Sequence, residues 1–148
     1  SGGPLLNMAG EVIGINSAVS REGQGIGFAI PINMAKEIVP QLRKSGKVNR
    51  SWLGIYVAPV TDEVARREGL AAARGVVVTR VIDGGPAVDA GIHPGDVLMS
   101  FAGEEIADVA DLRWRASLAG IGKDVPVGVR RGGKTLQVSL RLGRAPLD

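Results

Sequence analysis

The sequence predicts a mainly β fold with short helices, on three observations. Glycine supplies 22 of the 148 residues and proline 8, with glycine at about twice its usual share of ~7%, so turns are frequent. Between the turns lie short runs rich in valine, isoleucine and leucine, of the length a strand needs. Only two stretches, one after Asn33 and one after Asp108, combine a capping residue with the apolar spacing of a longer helix.

In chain order, Glu11–Asn16 and Gly25–Ile30 read as two strands joined by the polar turn Ser20–Gln24, and Pro31 ends the second. Asn33 is the expected N-cap of a helix from Met34 to about Lys44, with Met34, Ile38 and Leu42 on one face. Lys44 in the last turn and Gly46 just beyond it suit the helix dipole and a left-handed cap, while Pro40 interrupts the interior. Lys47–Ser51 is short and polar and reads as a linker. Trp52–Val57 is a strand, and Thr61 caps a short helix through Arg67, with Asp62 and Glu63 in its first turn. A turn over Glu68–Arg74 leads to the strand Gly75–Ile82. Pro86–Ala90 makes one or two helical turns closed by Gly91, and Asp96–Phe101 is a strand turning at Gly103. Asp108 caps a helix from Val109 to about Ala119. Val125–Val129 and Thr135–Leu142 form a hairpin through Arg131-Gly-Gly-Lys134.

Composition removes several function classes. Hydrophobic residues are 45% and charged residues 22%, enough apolar side chain for a core. Without cysteine there is no disulfide framework, thiolate metal site or cysteine nucleophile. The single histidine, His93, cannot build a multi-histidine metal site, and no cofactor motif stands out. No apolar run approaches the roughly 20 residues of a membrane helix. The net charge of +3 comes from residues 1–50, where Arg21, Lys36, Arg43, Lys44, Lys47 and Arg50 face only Glu11, Glu22 and Glu37. That is a solvated helix end, too sparse for nucleic acid, and aromatic stacking platforms are also lacking. Gly23–Gly27 lacks the spacing of a phosphate loop and leads into a strand, so it reads as a turn.

Chemistry concentrates in two places. At Ser1-Gly-Gly-Pro4, small residues after a serine let backbone amides approach a reacting carbonyl. Together with Gly10–Asn16 and Gly25–Pro31, this segment resembles the HtrA (Deg) family of trypsin-like serine proteases. The resemblance implies that Ser1 matches the nucleophile, that Ser17, Ala18 and Val19 match the strand that pairs with substrate, and that Gly27 and Phe28 match a specificity-pocket wall. A serine nucleophile needs a base within about 2.6–3.2 Å and an acid orienting that base. The family's triad histidine and aspartate would precede Ser1, so this chain alone is expected to be inactive. Two other readings stay open: a hydrolase completed by the α-amine of Ser1 or by a second chain, and an assembly module built on unpaired strands.

The run Asp83–Leu98, with Gly-Pro-Ala, Ala-Gly-Ile and Pro-Gly-Asp-Val-Leu in series, resembles the PDZ core of the same family. The expected organisation is therefore the end of a protease domain over 1–46, as a partial trypsin-like barrel segment, a linker over 47–51, and a PDZ domain over 52–145, as a partly open sandwich capped by two helices. Peptide binding is expected at Trp52, Leu53, Gly54 and Ile55, where a loop turns amides toward a terminal carboxylate before a strand that the peptide extends. Leu112, Arg113 and Ala116 are the expected opposite wall. The implied partners are hydrophobic protein C-termini. The resemblance also implies the bacterial periplasm or cell envelope and a trimer for the intact protein.

Overall fold

A computed structural model describes residues 1–19 and 25–146, in two compact units, Ser1–Val48 and Asn49–Asp148. The expected turn at Ser20–Gln24 lies outside the described residues, and with it Gly23 and Gln24 of the glycine-rich run Gly23–Gly27.

The first unit is an antiparallel sheet of β1 (Pro4–Leu6), β2 (Val12–Val19) and β3 (Gly27–Pro31), in that order, followed by helix α1 (Ile32–Ser45). The ladder slips between Leu5 and Leu6 and between Asn16 and Ala18. Val12, Ile13, Val19, Phe28 and Ile30 are exposed, and only Gly14 on β2 is buried. A Cβ at Gly14 would meet the Ile30 carbonyl at 3.2 Å and the Ala29 methyl at 3.3 Å, which explains the absence of a side chain there.

Helix α1 begins two residues before the expected start. Pro31, with φ −55° and ψ 138°, is its N-cap and supplies no side-chain bond, so Asn33 lies inside the first turn. The strand runs straight into the helix, and the fixed proline φ serves both conformations. Gly46 closes the helix at φ 70°, its N–H donating to the Leu42 carbonyl at 2.8 Å.

The second unit comprises β4 (Ser51–Trp52), β5 (Ile55–Pro59), α2 (Asp62–Glu68), β6 (Val76–Val81), α3 (Pro86–Asp89), β7 (Val97–Phe101), β8 (Glu104–Glu105), α4 (Val109–Leu118), β9 (Asp124–Arg131), β10 (Lys134–Arg141) and β11 (Gly143–Arg144). The main sheet runs β10-β9-β7-β6-β5 with antiparallel pairing, β8 pairs with β7, and β4 pairs with β11. Strand β5 therefore lies at the sheet's edge.

The expected strand Trp52–Val57 is broken. At Leu53 and Gly54 the carbonyls leave the ladder and accept from the Ala87 and Ile82 N–H groups at 3.0 and 2.9 Å. Gly54 takes φ 78°, open to glycine without penalty. Ser51, at the end of the expected linker, is buried within β4. Helices α2, α3 and α4 form where the sequence placed helical turns, at Thr61–Arg67, Pro86–Ala90 and Val109–Ala119.

Caps at α2 and α4 form as their sequences require. The Val64 N–H donates to Thr61 Oγ1 at 3.3 Å, and the Asp111 N–H to Asp108 Oδ1 at 2.8 Å. Alternate residues Val125, Val127 and Val129 turn inward on β9 and meet Val76, Val78, Leu98, Phe101, Leu112, Leu140 and Leu142 in one core. Truncating a side chain as buried as Leu112 costs about 2–5 kcal/mol.

Two buried carboxylates tie loops to this core. Asp96 receives a fork from Arg131, Nε to Oδ1 and a terminal nitrogen to Oδ2, both 2.7 Å, and the His93 N–H at 2.8 Å. Burial raises the Asp96 pKa, but the Arg131 fork and the His93 amide outweigh it and leave the carboxyl below its ordinary value. His93 itself is an exposed turn residue. Glu68, at the end of α2, accepts the Gly133 N–H at 3.0 Å and Arg67 Nε at 2.9 Å. Its pKa is lowered, chiefly by the Gly133 amide.

Candidate peptide-binding cleft

The second unit carries a cleft of about 400 Å3 between edge strand β5 and helix α4. Its construction begins with a buried serine. The Ser51 hydroxyl donates to the Ala116 carbonyl at 2.6 Å and accepts the Gly120 N–H at 3.1 Å. This clamps β4 to the C-terminal end of α4 and fixes where the next residues turn. Leu53 is buried, while Gly54 packs so closely that a Cβ would lie 3.1 Å from both Gly85 Cα and Pro86 Cδ. With their carbonyls committed to Ala87 and Ile82, the Leu53 and Gly54 N–H groups donate to no acceptor among the described residues. Unpaired amides at the head of an edge strand can receive an anion.

Along β5, Ile55 and Val57 line the cleft and pack against the core, while Tyr56 is exposed under the Arg80 guanidinium, 4.2 Å from the ring centre. On the facing helix, Leu112, Arg113 and Ala116 line the cleft, with Leu112 and Ala116 also in the core. The helix is held by its other face. Arg115 bonds the Glu105 carbonyl at 2.8 Å and Asp111 Oδ2 at 2.7 Å. Burial raises the Asp111 pKa, and the Ala107 amide with Arg115 reverses this to a net lowering.

Of the expected groove residues, Trp52, Leu53, Ile55, Leu112, Arg113 and Ala116 line this one cleft, while Gly54, between two of them in the chain, does not. Sequence reasoning missed Arg50, Ser51, Tyr56, Ile82, Ser117, Ala145 and Pro146. Ser117 was within reach, since it lies four residues after Arg113 and shares its helix face. Nothing local marks Ser51 as a clamp, because its partners are 65 and 69 residues away.

In the first unit, the Ser1 hydroxyl donates to the Ser17 carbonyl at 3.0 Å, and the Ser17 hydroxyl to the Phe28 carbonyl at 3.3 Å. Ala18 pairs with Phe28 and Val19 with Gly27. The five residues expected around the serine thus lie on neighbouring strands β2 and β3, with Ser1 bonded to Ser17 beside them. Residues 1–48 contain neither histidine nor aspartate, so no base and acid of the triad type stand beside Ser1 within this unit. Among the described residues no cluster of three or more His, Asp or Glu forms a metal site, and no helix is long and apolar enough to cross a membrane.

Comparison with known proteins agrees with both halves. The PDZ domain family model matches residues 42–142, and the trypsin family model matches residues 1–39. A probable periplasmic serine endoprotease, DegP-like, of Rhizobium meliloti (strain 1021) is 42% identical over 151 residues, covering 100% of this chain and 30% of that protein. The putative serine protease HhoB of Synechocystis is 36% identical, covering 100% and 38%. Among solved structures, the HtrA-type protease AlgW with a tripeptide matches at TM-score 0.82 and 36% identity, over 99% of this chain and 50% of that one. The serine endoprotease from Yersinia pestis matches at TM-score 0.65 and 29% identity, over 99% and 48%. The chain thus spans about a third of the length of these curated relatives and about half of these structures.

Proposed function

The chain belongs to the HtrA family of serine proteases, joining trypsin-like sequence to a PDZ domain, and from that premise we propose that its cleft binds hydrophobic protein C-termini by β-strand addition. The observation that carries this is the pair of unpaired N–H groups at Leu53 and Gly54, standing at the head of an edge strand. A peptide's terminal carboxylate accepts from those amides. Its backbone then runs antiparallel to β5, and its last side chain enters the apolar floor made by Leu53, Ile55, Leu112 and Ala116. Arg50, also lining the cleft, adds positive charge there.

In the whole protein this binding delivers or signals substrate to a serine endopeptidase, in which Ser1 is the nucleophile. The hydrogen bond from Ser1 to the Ser17 carbonyl, and from Ser17 on to the Phe28 carbonyl, supports that assignment. Its base and orienting acid come from outside residues 1–48. The relatives named as periplasmic favour the periplasm or cell envelope as its compartment.

Fluorescence anisotropy with matched short peptides ending in valine, as free acid and as amide, tests the cleft reading. Micromolar binding of the acid, weakened at least about tenfold by amidation, is expected. Equal affinities, or none tighter than millimolar, would overturn it. For Ser1, fluorophosphonate labelling of the full-length gene product should disappear in Ser1→Ala. Labelling that survives the substitution refutes the assignment.

A further inference from the structure

The cleft is apolar in its floor but not neutral at its rim. Arg50 and Arg113 are the charged side chains among its lining residues, and no carboxylate lines it. Arg113 is exposed, and its guanidinium takes part in no hydrogen bond or ion pair among the described residues. The acids of the same helix are engaged elsewhere, Asp108 as the cap on the Asp111 N–H and Asp111 with Arg115 and the Ala107 N–H. Asp83, next in the chain after the lining residue Ile82, does not line the cleft. On the strand side, Arg80 lies over the Tyr56 ring and adds charge of the same sign.

Geometry assigns this charge a place along a bound peptide. The Ser51 clamp puts Ala116 at the loop end of the cleft, where the terminal carboxylate docks. Arg113 lies three residues earlier in α4, about 4.5 Å farther from the loop at the helical rise. An added strand advances about 3.3 Å per residue, and alternate side chains share a face. When the last residue points into the cleft, so does the third from last, one step past Ala116 and alongside Arg113.

We infer that the cleft selects C-terminal peptides with a carboxylate side chain at the third-from-last position, read by Arg113. This deepens the peptide-binding reading above and rests on it. The hydrophobic last residue supplies the anchor and the acid supplies the discrimination.

The test uses the full chain and labelled short peptides ending in valine, identical except for glutamate or glutamine at the third-from-last position. A third peptide carries the glutamate at the penultimate position. The glutamate peptide should bind about three- to fivefold tighter than its glutamine twin, as one exposed ion pair allows. The ratio should approach one in about 0.5 M salt, where the screening length falls well below 10 Å. It should also collapse in Arg113→Gln and persist in Arg66→Gln on the exposed face of α2. Equal binding of the twins by a chain that binds both would overturn the inference and leave the peptide-binding reading standing. A preference that survives Arg113→Gln, or that favours the penultimate glutamate instead, also overturns it. If no peptide binds, the peptide-binding reading itself fails and takes this inference with it.

Discussion

Replacing Gly54 by alanine separates the geometry of the loop from its sequence. The residue sits at φ 78°, where an L side chain costs roughly 1–2 kcal/mol. A new Cβ would stand 3.1 Å from Gly85 Cα, 3.1 Å from Pro86 Cδ and 3.3 Å from Pro86 N. Two of these neighbours are backbone and the third is a ring, so the loop must shift by a few tenths of an ångström. Against this, alanine loses less chain entropy on folding, worth about 0.4–1 kcal/mol. A net loss of about 1–2 kcal/mol follows, lowering Tm by about 4–12 °C in a unit of this size. Gly103→Ala is the control, since Gly103 has φ 82° but open space where its Cβ would go. It carries the conformational term without the crowding. Urea unfolding and peptide anisotropy should show Gly54→Ala less stable than Gly103→Ala and at least about tenfold weaker in binding, with Gly103→Ala binding as the parent does. Indistinguishable stabilities and affinities for the two variants would refute the reasoning that crowding at Gly85 and Pro86 shapes the loop.

Ser51→Ala removes a hydroxyl that satisfies two backbone groups, so a loss of about 1–3 kcal/mol and weaker peptide binding should appear together in denaturation and anisotropy. Stability should fall in acid. Asp96, Asp111 and Glu68 have folded pKa values below their ordinary 3.8, 3.8 and 4.5, so their contribution is complete above those ordinary values and is lost as pH falls through the lower folded ones. Urea midpoints from pH 7 to pH 2 should trace that decline, and Asp96→Asn should flatten it. A midpoint unchanged in acid, or a decline as steep in Asp96→Asn as in the parent, contradicts the assignment. Leu112→Ala should lose about 2–5 kcal/mol and also weaken peptide binding, because Leu112 serves both the core and the cleft. Loss of one without the other would show that it serves only one.

The fold was legible where the determinants were local. Thr61 and Asp108 announced their helices because a cap bonds its own next turn, and Gly46 and Gly132-Gly133 announced turns because positive φ selects glycine. The break at Leu53-Gly54 was hidden, since the carbonyl partners that pull this segment from the ladder are at Ala87 and Ile82. The early start of α1 was hidden for a different reason. Asn33 has the composition of a cap, but the strand before it already delivers the chain at Pro31 in a suitable geometry. At the cleft, the loop and the facing helix were legible through the PDZ resemblance, while the Ser51 clamp and the Arg80–Tyr56 stack depend on residues that only the fold brings together.

The most direct test of the cleft is a two-dimensional amide NMR titration of the chain with one hydrophobic C-terminal peptide, as free acid and as amide. With the acid, the Leu53 and Gly54 amides should move downfield as they gain an acceptor. Shifts should extend along Ile55–Ala58 and over Leu112–Ser117, and the Leu53 and Gly54 changes should vanish with the amide. Binding that leaves Leu53 and Gly54 unmoved, or that moves a surface away from β5 and α4, would contradict the account.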